Sequence, residues 1–258
     1  MADFPGGGID VSLDGIKTRI EYVNGWSVAV IEFDERMDVL SSCFLNGGKA
    51  ETSTFVIIQV NPDYHDNPVT DAKTVLKELD LPDDTVCFMT AAEVYRVFTK
   101  ERVNHNNYDC LALVTAGLSN QVVAGEEILD WEERKKLSAK RHQLIADLYP
   151  PGTINIIGVV SEPMTDAAKV NSFIAMTEAK SAAMHDLGYK ETGTTSDAIA
   201  IVCPKEGNIQ SYAGTGFGFG LSLAKAVRSA VRRSLIKRHD FPIDMKEEEI
   251  EELRRRYL

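Results

Sequence analysis

Two runs near the start of the chain alternate hydrophobic and polar residues on either side of a turn signal. They span residues 18–23 and 27–33, and Asn24-Gly25 lies between them. Asparagine followed by glycine favours the two-residue turns of β-hairpins, because both residues tolerate positive φ angles. The pattern predicts an N-terminal β-hairpin.

Later in the chain, short apolar runs alternate with longer segments of helical spacing. The predicted strands are residues 54–60, 86–89, 111–114, 153–160 and 198–203. The predicted helices are residues 70–79, 166–187 and 221–237. Together they predict an α+β or mixed α/β fold, with the hairpin and a mixed sheet covered by helices. The order of the strands stays open.

We expect one domain over residues 1–258, because the chain shows no internal repeat and no low-complexity linker. Residues 126–148 form a charged, helix-prone insert. Residues 240–258 predict a charged C-terminal helix, since Glu251 and Arg255 are spaced for an i,i+4 ion pair.

Composition and net charge narrow the kinds of ligand and surface that this protein is expected to bind. Of the 258 residues, 44% are hydrophobic, and the net charge is −11. This charge argues against nucleic-acid binding and against an anionic membrane surface, and it suits a neutral or cationic small molecule. No apolar run reaches the length of a membrane span, and the first residues do not resemble a signal peptide.

The cysteines indicate a reducing compartment. Cys43, Cys87, Cys110 and Cys203 form no C-x-x-C pair, and three of them lie in apolar runs. We therefore expect buried thiols and a cytoplasmic location.

The glycine-rich segment at residues 211–225, SYAGTGFGFGLSLAK, raises the question of a nucleotide-binding loop, but it fits neither of the common motifs. A dinucleotide fingerprint that begins at Gly214 requires glycine or alanine where Phe219 stands, and one that begins at Gly216 meets Leu221. The G-K-[ST] ending of a P-loop is absent. What remains is a backbone-exposing turn before a helix, whose N–H groups could stabilise an oxyanion.

Four other segments place glycines and small polar residues beside predicted strands. They are residues 41–48, 115–120, 152–155 and 192–197. Loops at strand ends often carry functional sites, although each segment alone is also typical of turn chemistry.

Metal chemistry and a serine-hydrolase elbow find little support in the sequence. The five histidines form no H-x-x-x-H pattern, and G-x-S-x-G is absent. In a hydrolase, Asp197 or Glu178 would serve as base, and water or a Thr/Ser hydroxyl would attack. Lys180 shares a helix face with Thr177 but not with Glu178. An exposed helix lysine is the simpler alternative for Lys180.

Several motifs together resemble those of the adenosylcobinamide amidohydrolase family, over residues 40–235. They are Asn46-Gly47-Gly48, MTAA at 89–92, VTAGLSN at 114–120 with Gly125, PGTIN at 151–155, TEAK at 177–180, TGTTSD at 192–197 and YAGTGFGFG at 212–220. The insert 126–148, with Trp131, and the acidic tail after residue 239 depart from the family pattern.

This resemblance implies hydrolysis of the amide that joins aminopropanol to the corrin of adenosylcobinamide. The products would be adenosylcobyric acid and 1-amino-2-propanol, in cobalamin salvage. The corrinoid would be the substrate and partner, with no required cofactor or metal, and a homo-oligomer is left open. The alternatives are a corrinoid-binding protein without catalysis, a hydrolase of another amide and, weakest, a Rossmann-type oxidoreductase.

Residue roles follow from these motifs as hypotheses. Asp197 would be the base, Thr194 or Thr195 would orient it or attack, and Glu178 would supply charge. The glycine-rich segment would form a wall for the corrin and help to hold the oxyanion. The predicted substrate-binding residues are Asn46, Gly47, Gly48, Thr115, Asn120, Gly152, Thr153, Asn155, Lys180, Tyr212, Gly214, Thr215 and Gly216.

Overall fold

The N-terminal hairpin is confirmed by the computed structural model, which describes residues 13–61, 64, 66–118, 120–127, 152–238, 241–242 and 245–258. Strand β1 (Lys17–Val23) pairs antiparallel with β2 (Trp26–Ser41). Asn24 and Gly25 have φ angles of 52° and 85°, as the predicted turn requires. Most of the predicted insert, including Trp131, lies outside the described residues.

The mixed sheet is also confirmed. Its other strands are β3 (Gly48–Gln59), β4 (Val86–Thr90), β5 (Thr99–His105), β6 (Tyr108–Thr115), β8 (Asn155–Val160) and β10 (Ala198–Cys203). The order is β4-β3-β2-β10-β8-β6-β5, with β1 paired to β2. The pairs β3–β4 and β8–β10 are parallel, and the remaining pairs are antiparallel. The two-residue strands β7 (Gln121–Val122) and β9 (Gly193–Thr194) pair separately.

The predicted helices at residues 70–79, 166–187 and 221–237 are confirmed within three residues. The C-terminal helix, predicted over residues 240–258, begins at Glu247, and the short helix at Val94–Val97 was not predicted. The structure describes five helices. They are α1 (Pro68–Glu78), the short α2 (Val94–Val97), α3 (Asp166–Asp186), α4 (Gly218–Arg238) and α5 (Glu247–Tyr257). Thr165 caps α3, since its side chain accepts a hydrogen bond from the Ala168 N–H. Helix α3 connects the parallel strands β8 and β10, as a parallel pair requires.

The sheet bends so that one face of its strands forms a shared interior. Strand β2 belongs to both halves, because residues 28–32 and 37–41 pair with β3 and residues 38–41 also pair with β10 on the other side. Its register with β3 shifts between Glu32 and Met37, the stretch in which its other neighbour changes from β1 to β10. The inward side chains of both halves form one cluster, which includes Ala29, Ile31, Phe55, Ile57, Phe88, Leu111, Leu113, Ile157, Val159 and Ala200.

Helices cover the two outer faces of the bent sheet. Helix α1 packs through Val75 and Leu76 on the outer side of β2, β3 and β4. Helices α3 and α4 cover β6, β8 and β10, with Met176 and Leu223 in that cluster. Both outer faces are therefore closed, and chemistry is confined to the ends of the strands or to surface loops.

The cysteines are free thiols, as expected. Cys87, Cys110 and Cys203 are buried, and Cys43 is half-buried. Burial raises the pKa of Cys87 to about 12 and that of Cys203 to about 11, because a thiolate loses hydration inside the protein. These thiols stay protonated at neutral pH.

A buried ion pair fixes the start of α3. Lys169 is 0% exposed, and its ammonium group binds Asp38 of β2 and also Asp166, at 3.3 Å. An ammonium buried without its carboxylate partner is costly.

We predict that Asp38→Asn lowers the free energy of unfolding by about 3 kcal/mol, because Lys169 stays buried with a weaker partner. Urea denaturation measures the change. The matched control is Asp34→Asn, which removes the partner of the exposed Lys17 and should cause no measurable loss. Equal losses in both variants would contradict the role of the buried pair.

Candidate active site

Three of the predicted loop segments meet at one end of the sheet, where β8 and β10 begin and β6 ends. Thr115 lies opposite Asn155 in the β6–β8 register. The Ala198 N–H donates to the Ile154 carbonyl at 3.1 Å, and the Thr195 N–H donates to the Asn120 carbonyl at 3.3 Å. We call this region, where segments 115–120, 152–155 and 192–197 meet, the loop end of the sheet.

The carboxylate of Asp197 is the centre of the polar contacts at the loop end. Its Oδ2 lies 2.5 Å from Lys180 Nζ and accepts the Thr194 N–H at 3.0 Å. Its Oδ1 accepts the Thr194 hydroxyl at 2.5 Å and the Ile154 N–H at 3.1 Å. We call Lys180, Thr194, Asp197 and the Ile154 N–H the Asp197 network.

Lys180 is therefore not the exposed helix lysine of the simpler alternative. Its side chain is 8% exposed, and that of Asp197 is 11% exposed. A charged pair this deeply buried is retained only with good geometry and added hydrogen bonds, which the Thr194 and Ile154 donors provide.

The four hydrogen bonds that the Asp197 carboxylate accepts limit its predicted role as a base. Each carboxylate oxygen already accepts two donors, so a water would have to displace one of them to be activated directly. The Thr194 hydroxyl already donates its proton to Asp197 and accepts the Ser196 N–H at 3.4 Å, so both of these contacts hold it inside the loop. The arrangement favours Asp197 as the group that fixes the loop over Asp197 as a base for water.

Gly193 has no side chain, and the Lys180–Asp197 pair occupies the space in which a side chain would lie. A methyl group at this position would overlap Lys180 Nζ and Asp197 Oδ2. The glycine in TGTTSD is thus explained by a close approach to a charged pair.

A pair of hydroxyls lies beside the network. Thr153 Oγ1 is 2.7 Å from Ser196 Oγ, and the Thr153 N–H donates to Thr90 Oγ1 at 3.2 Å. Thr153 is 8% exposed, and Ser196 is exposed. Thr90 and Ser196 are absent from the predicted site, although both lie inside the motifs MTAA and TGTTSD.

Asn120 and Thr195 stand at the rim of the loop end. The Asn120 Nδ2 donates to Thr195 Oγ1 at 2.8 Å, which joins two of the predicted loops. Asn120 is half-buried and Thr195 is exposed, so both remain compatible with substrate contact.

The structure corrects the prediction for Thr115 and Asn155, which are each 0% exposed. Asn155 Nδ2 donates to the Met89 carbonyl at 3.0 Å and lies 3.4 Å from Thr115 Oγ1. These side chains join β4, β6 and β8 inside the sheet, so they do not face a substrate.

Gly152 is likewise buried, against Gly117. A methyl group on Gly117 would lie 2.9 Å from the Gly152 Cα and would also meet the Arg238 guanidinium. Gly152 thus allows close backbone packing between two loops, and its predicted contact with substrate stays a prediction.

Asn46, Gly47 and Gly48 form a tight turn before β3. Asn46 has a φ angle of 55°, and its Nδ2 donates to the carbonyls of Asp83 and Thr85 at 2.7 and 2.8 Å. Gly48 has a φ angle of 81°. A turn role explains these residues, and their predicted contact with substrate stays a prediction.

The glycine-rich segment does not join the loop end. Thr215 Oγ1 donates to Glu178 Oε2 at 2.7 Å, and Tyr212 stacks on Phe217 with centroids 5.4 Å apart. Within the described residues, no hydrogen bond links Gly214, Gly216 or their neighbours to the three loops. The structure thus does not bring this segment to Asp197 as the oxyanion hypothesis requires.

A groove lies at the opposite ends of β8 and β10. It measures about 580 Å³, and its lining includes Lys49, Pro163, Met164, Lys205 and Ile209. The polar motifs do not gather there, so the loop end remains the better candidate for chemistry.

Neither a metal centre nor a membrane span is found in the described part of the chain. Its His, Cys, Asp and Glu residues form no group of three that could hold a metal ion. None of its helices is long and apolar enough to cross a membrane.

Comparison with known proteins supports the motif-based resemblance. The model of the family described as adenosylcobinamide amidohydrolase matches residues 14–242. This chain belongs to that family. The match extends beyond the predicted core of residues 40–235 and includes the N-terminal hairpin.

Curated archaeal relatives share parts of the chain. An adenosylcobinamide amidohydrolase of Halobacterium salinarum is 34% identical over 48% of this chain and 49% of its own length. One of Methanosarcina mazei is 34% identical over 33% of this chain and 46% of its own length. The chain thus spans about half the length of these two relatives. An uncharacterized protein of Methanocaldococcus jannaschii is 26% identical over 66% of this chain and 70% of its own length.

Among solved structures, the PH0078 protein of Pyrococcus horikoshii aligns with a TM-score of 0.46 and 12% identity. The alignment covers 94% of this chain and 91% of that protein.

We predict that Gly193→Ala lowers the free energy of unfolding by about 1–3 kcal/mol, because the added methyl group displaces Lys180 from Asp197. Thermal and urea denaturation measure it. The control is Gly216→Ala, since a methyl group at this exposed position meets no atom within 4 Å. If Gly193→Ala is as stable as that control, the close packing of the charged pair is wrong.

Proposed function

We propose that this chain hydrolyses the amide between the corrin and the aminopropanol arm of adenosylcobinamide. The products are adenosylcobyric acid and 1-amino-2-propanol, as a step of corrinoid salvage. The family match over residues 14–242 carries this proposal, and the polar loop end supplies a place for the chemistry.

The Asp197 network holds the reacting loop in one geometry. It ties helix α3, through Lys180, to segment 192–197 and to the start of β8. Ordered groups around a reacting amide lower the barrier because their positions are set before the reaction starts. Thr195, Ser196 and Asn120 are presented on this fixed frame.

The overall charge suits the substrate. Adenosylcobinamide carries a positive charge on its cobalt–corrin unit, and the chain has a net charge of −11. A long-range attraction of this kind favours encounter and weakens with added salt.

The direct test is incubation of the purified protein with adenosylcobinamide, in the dark and without oxygen, followed by mass spectrometry. Adenosylcobyric acid and aminopropanol in equal amounts are the expected products. A shift in the corrinoid absorption spectrum without products would favour the corrinoid-binding alternative. Neither products nor a shift would refute adenosylcobinamide as the ligand.

We predict that Asp197→Asn lowers kcat at least about 100-fold with little change in KM, because Lys180 loses its partner and the loop loses its fixed geometry. The matched control is Asp166→Asn, which removes an ion-paired carboxylate from the first turn of the same helix. This control should keep its turnover. Retained turnover in a folded Asp197→Asn protein would remove the network from the mechanism.

A further inference from the structure

The hydroxyls at the loop end differ in how many hydrogen bonds they already make inside the protein. Thr194 donates to Asp197 and accepts the Ser196 N–H at 3.4 Å. Thr90 accepts the N–H groups of Ala92 and Thr153, and it is 2% exposed. These two hydroxyls are used inside the fold.

Thr115 and Thr195 are also accounted for. Thr115 is fully buried near the Asn155 amide, and Thr195 accepts a hydrogen bond from Asn120. Neither faces both the Asp197 network and the solvent.

The hydroxyls of Thr153 and Ser196 form the remaining pair at the loop end. Their hydroxyls bond to each other at 2.7 Å, and that contact uses only one of their two protons. Neither hydroxyl makes another hydrogen bond within the described residues. The pair leads from the buried start of β8 to the exposed surface of the 192–197 loop.

Both members of the pair are held by the Asp197 network. The Ile154 N–H, next to Thr153, donates to Asp197 Oδ1. The Ser196 N–H donates to Thr194 Oγ1, which in turn donates to Asp197. The backbone on each side of the hydroxyl contact is therefore fixed by the same carboxylate.

We propose that Thr153 is the attacking nucleophile and that Ser196 relays its proton. A nucleophile is recognised by a hydrogen bond to the group that takes its proton, with that group oriented by a third one. Here Ser196 takes the proton, and Thr194 with Asp197 orients Ser196. The inference rests on the proposed amide hydrolysis.

The reaction proceeds in two balanced steps. Thr153 Oγ1 bonds to the amide carbon, its proton passes to Ser196 Oγ, and the Ser196 proton passes to the nitrogen as the C–N bond breaks. Aminopropanol leaves, and the corrin arm remains as an ester on Thr153. Water then attacks the ester carbon, the ester C–O bond breaks, and the Thr153 oxygen regains a proton through Ser196.

The test begins with the wild-type protein, adenosylcobinamide and hydroxylamine in the dark. Hydroxylamine intercepts an ester, so we expect the corrin hydroxamate beside the acid. We also expect an acid-quenched covalent adduct on the peptide that contains Thr153. Hydrolysis with neither hydroxamate nor adduct overturns the proposal and leaves the proposed function intact. No hydrolysis at all refutes the proposed function itself.

Three variants test the proposed roles of Thr153 and Ser196 separately. We predict that Thr153→Val loses at least about 1,000-fold in kcat, while Thr153→Ser keeps measurable turnover and the adduct. Ser196→Ala should lose about 100-fold, since it removes one proton relay. Its exposed position should leave the melting temperature unchanged.

The control for these variants is Ser53→Ala, which breaks another serine–threonine hydroxyl contact, with Thr54 on β3. It should keep full turnover. A folded Thr153→Val protein with more than a tenth of wild-type turnover overturns the assignment. If Thr153→Val does not fold, full turnover in Ser196→Ala or absence of the wild-type adduct overturns it instead.

Discussion

The site depends on one buried carboxylate that accepts four hydrogen bonds. Asp197 binds the ammonium of Lys180, both donors of Thr194 and the Ile154 N–H. Burial of two charges is costly, so the pair persists only where its remaining hydrogen-bonding capacity is satisfied. Segment 192–197, the start of β8 and the middle of α3 must therefore come together in one arrangement. Gly193 is part of this constraint, because a side chain there would occupy the place of the charges.

A second set of contacts closes the same end of the sheet. Asn155 reaches the Met89 carbonyl, and the Thr153 N–H reaches Thr90, so β4 of one half is held against the start of β8 in the other half. Because helices cover both outer faces of the sheet, the rim of this closed end is where polar groups meet solvent. In our account, a structural and a reactive group lie two residues apart at this end: Asn155, at the start of β8, joins the strands, and Thr153, just before β8, bonds to Ser196 of the loop.

The sequence predicted the local structure well, because local rules determine it. Asn24-Gly25 specified the hairpin, and helical spacing specified α3 and α4 within a few residues. Strand β5 was missed, because TKERVNH is mostly polar and its side chains are half exposed. The bend of the sheet and the burial of Lys180 were also missed, since both follow from contacts between distant segments. The motifs identified three loops that do meet at one end of the sheet, but not which of their side chains face inward. Asn155 and Thr115 were assigned to substrate although both are buried, and Ser196 and Thr90 were overlooked.

The central claim is that the reacting amide is bound at the loop end of the sheet. A crystal structure of the protein with adenosylcobyric acid, the proposed product, tests it most directly. The account predicts that the carboxylate released by hydrolysis lies within hydrogen-bonding distance of Thr153 or Ser196, beside the Asp197 network. A product seated in the groove near Met164 and Ile209, at the other end of β8 and β10, would contradict it.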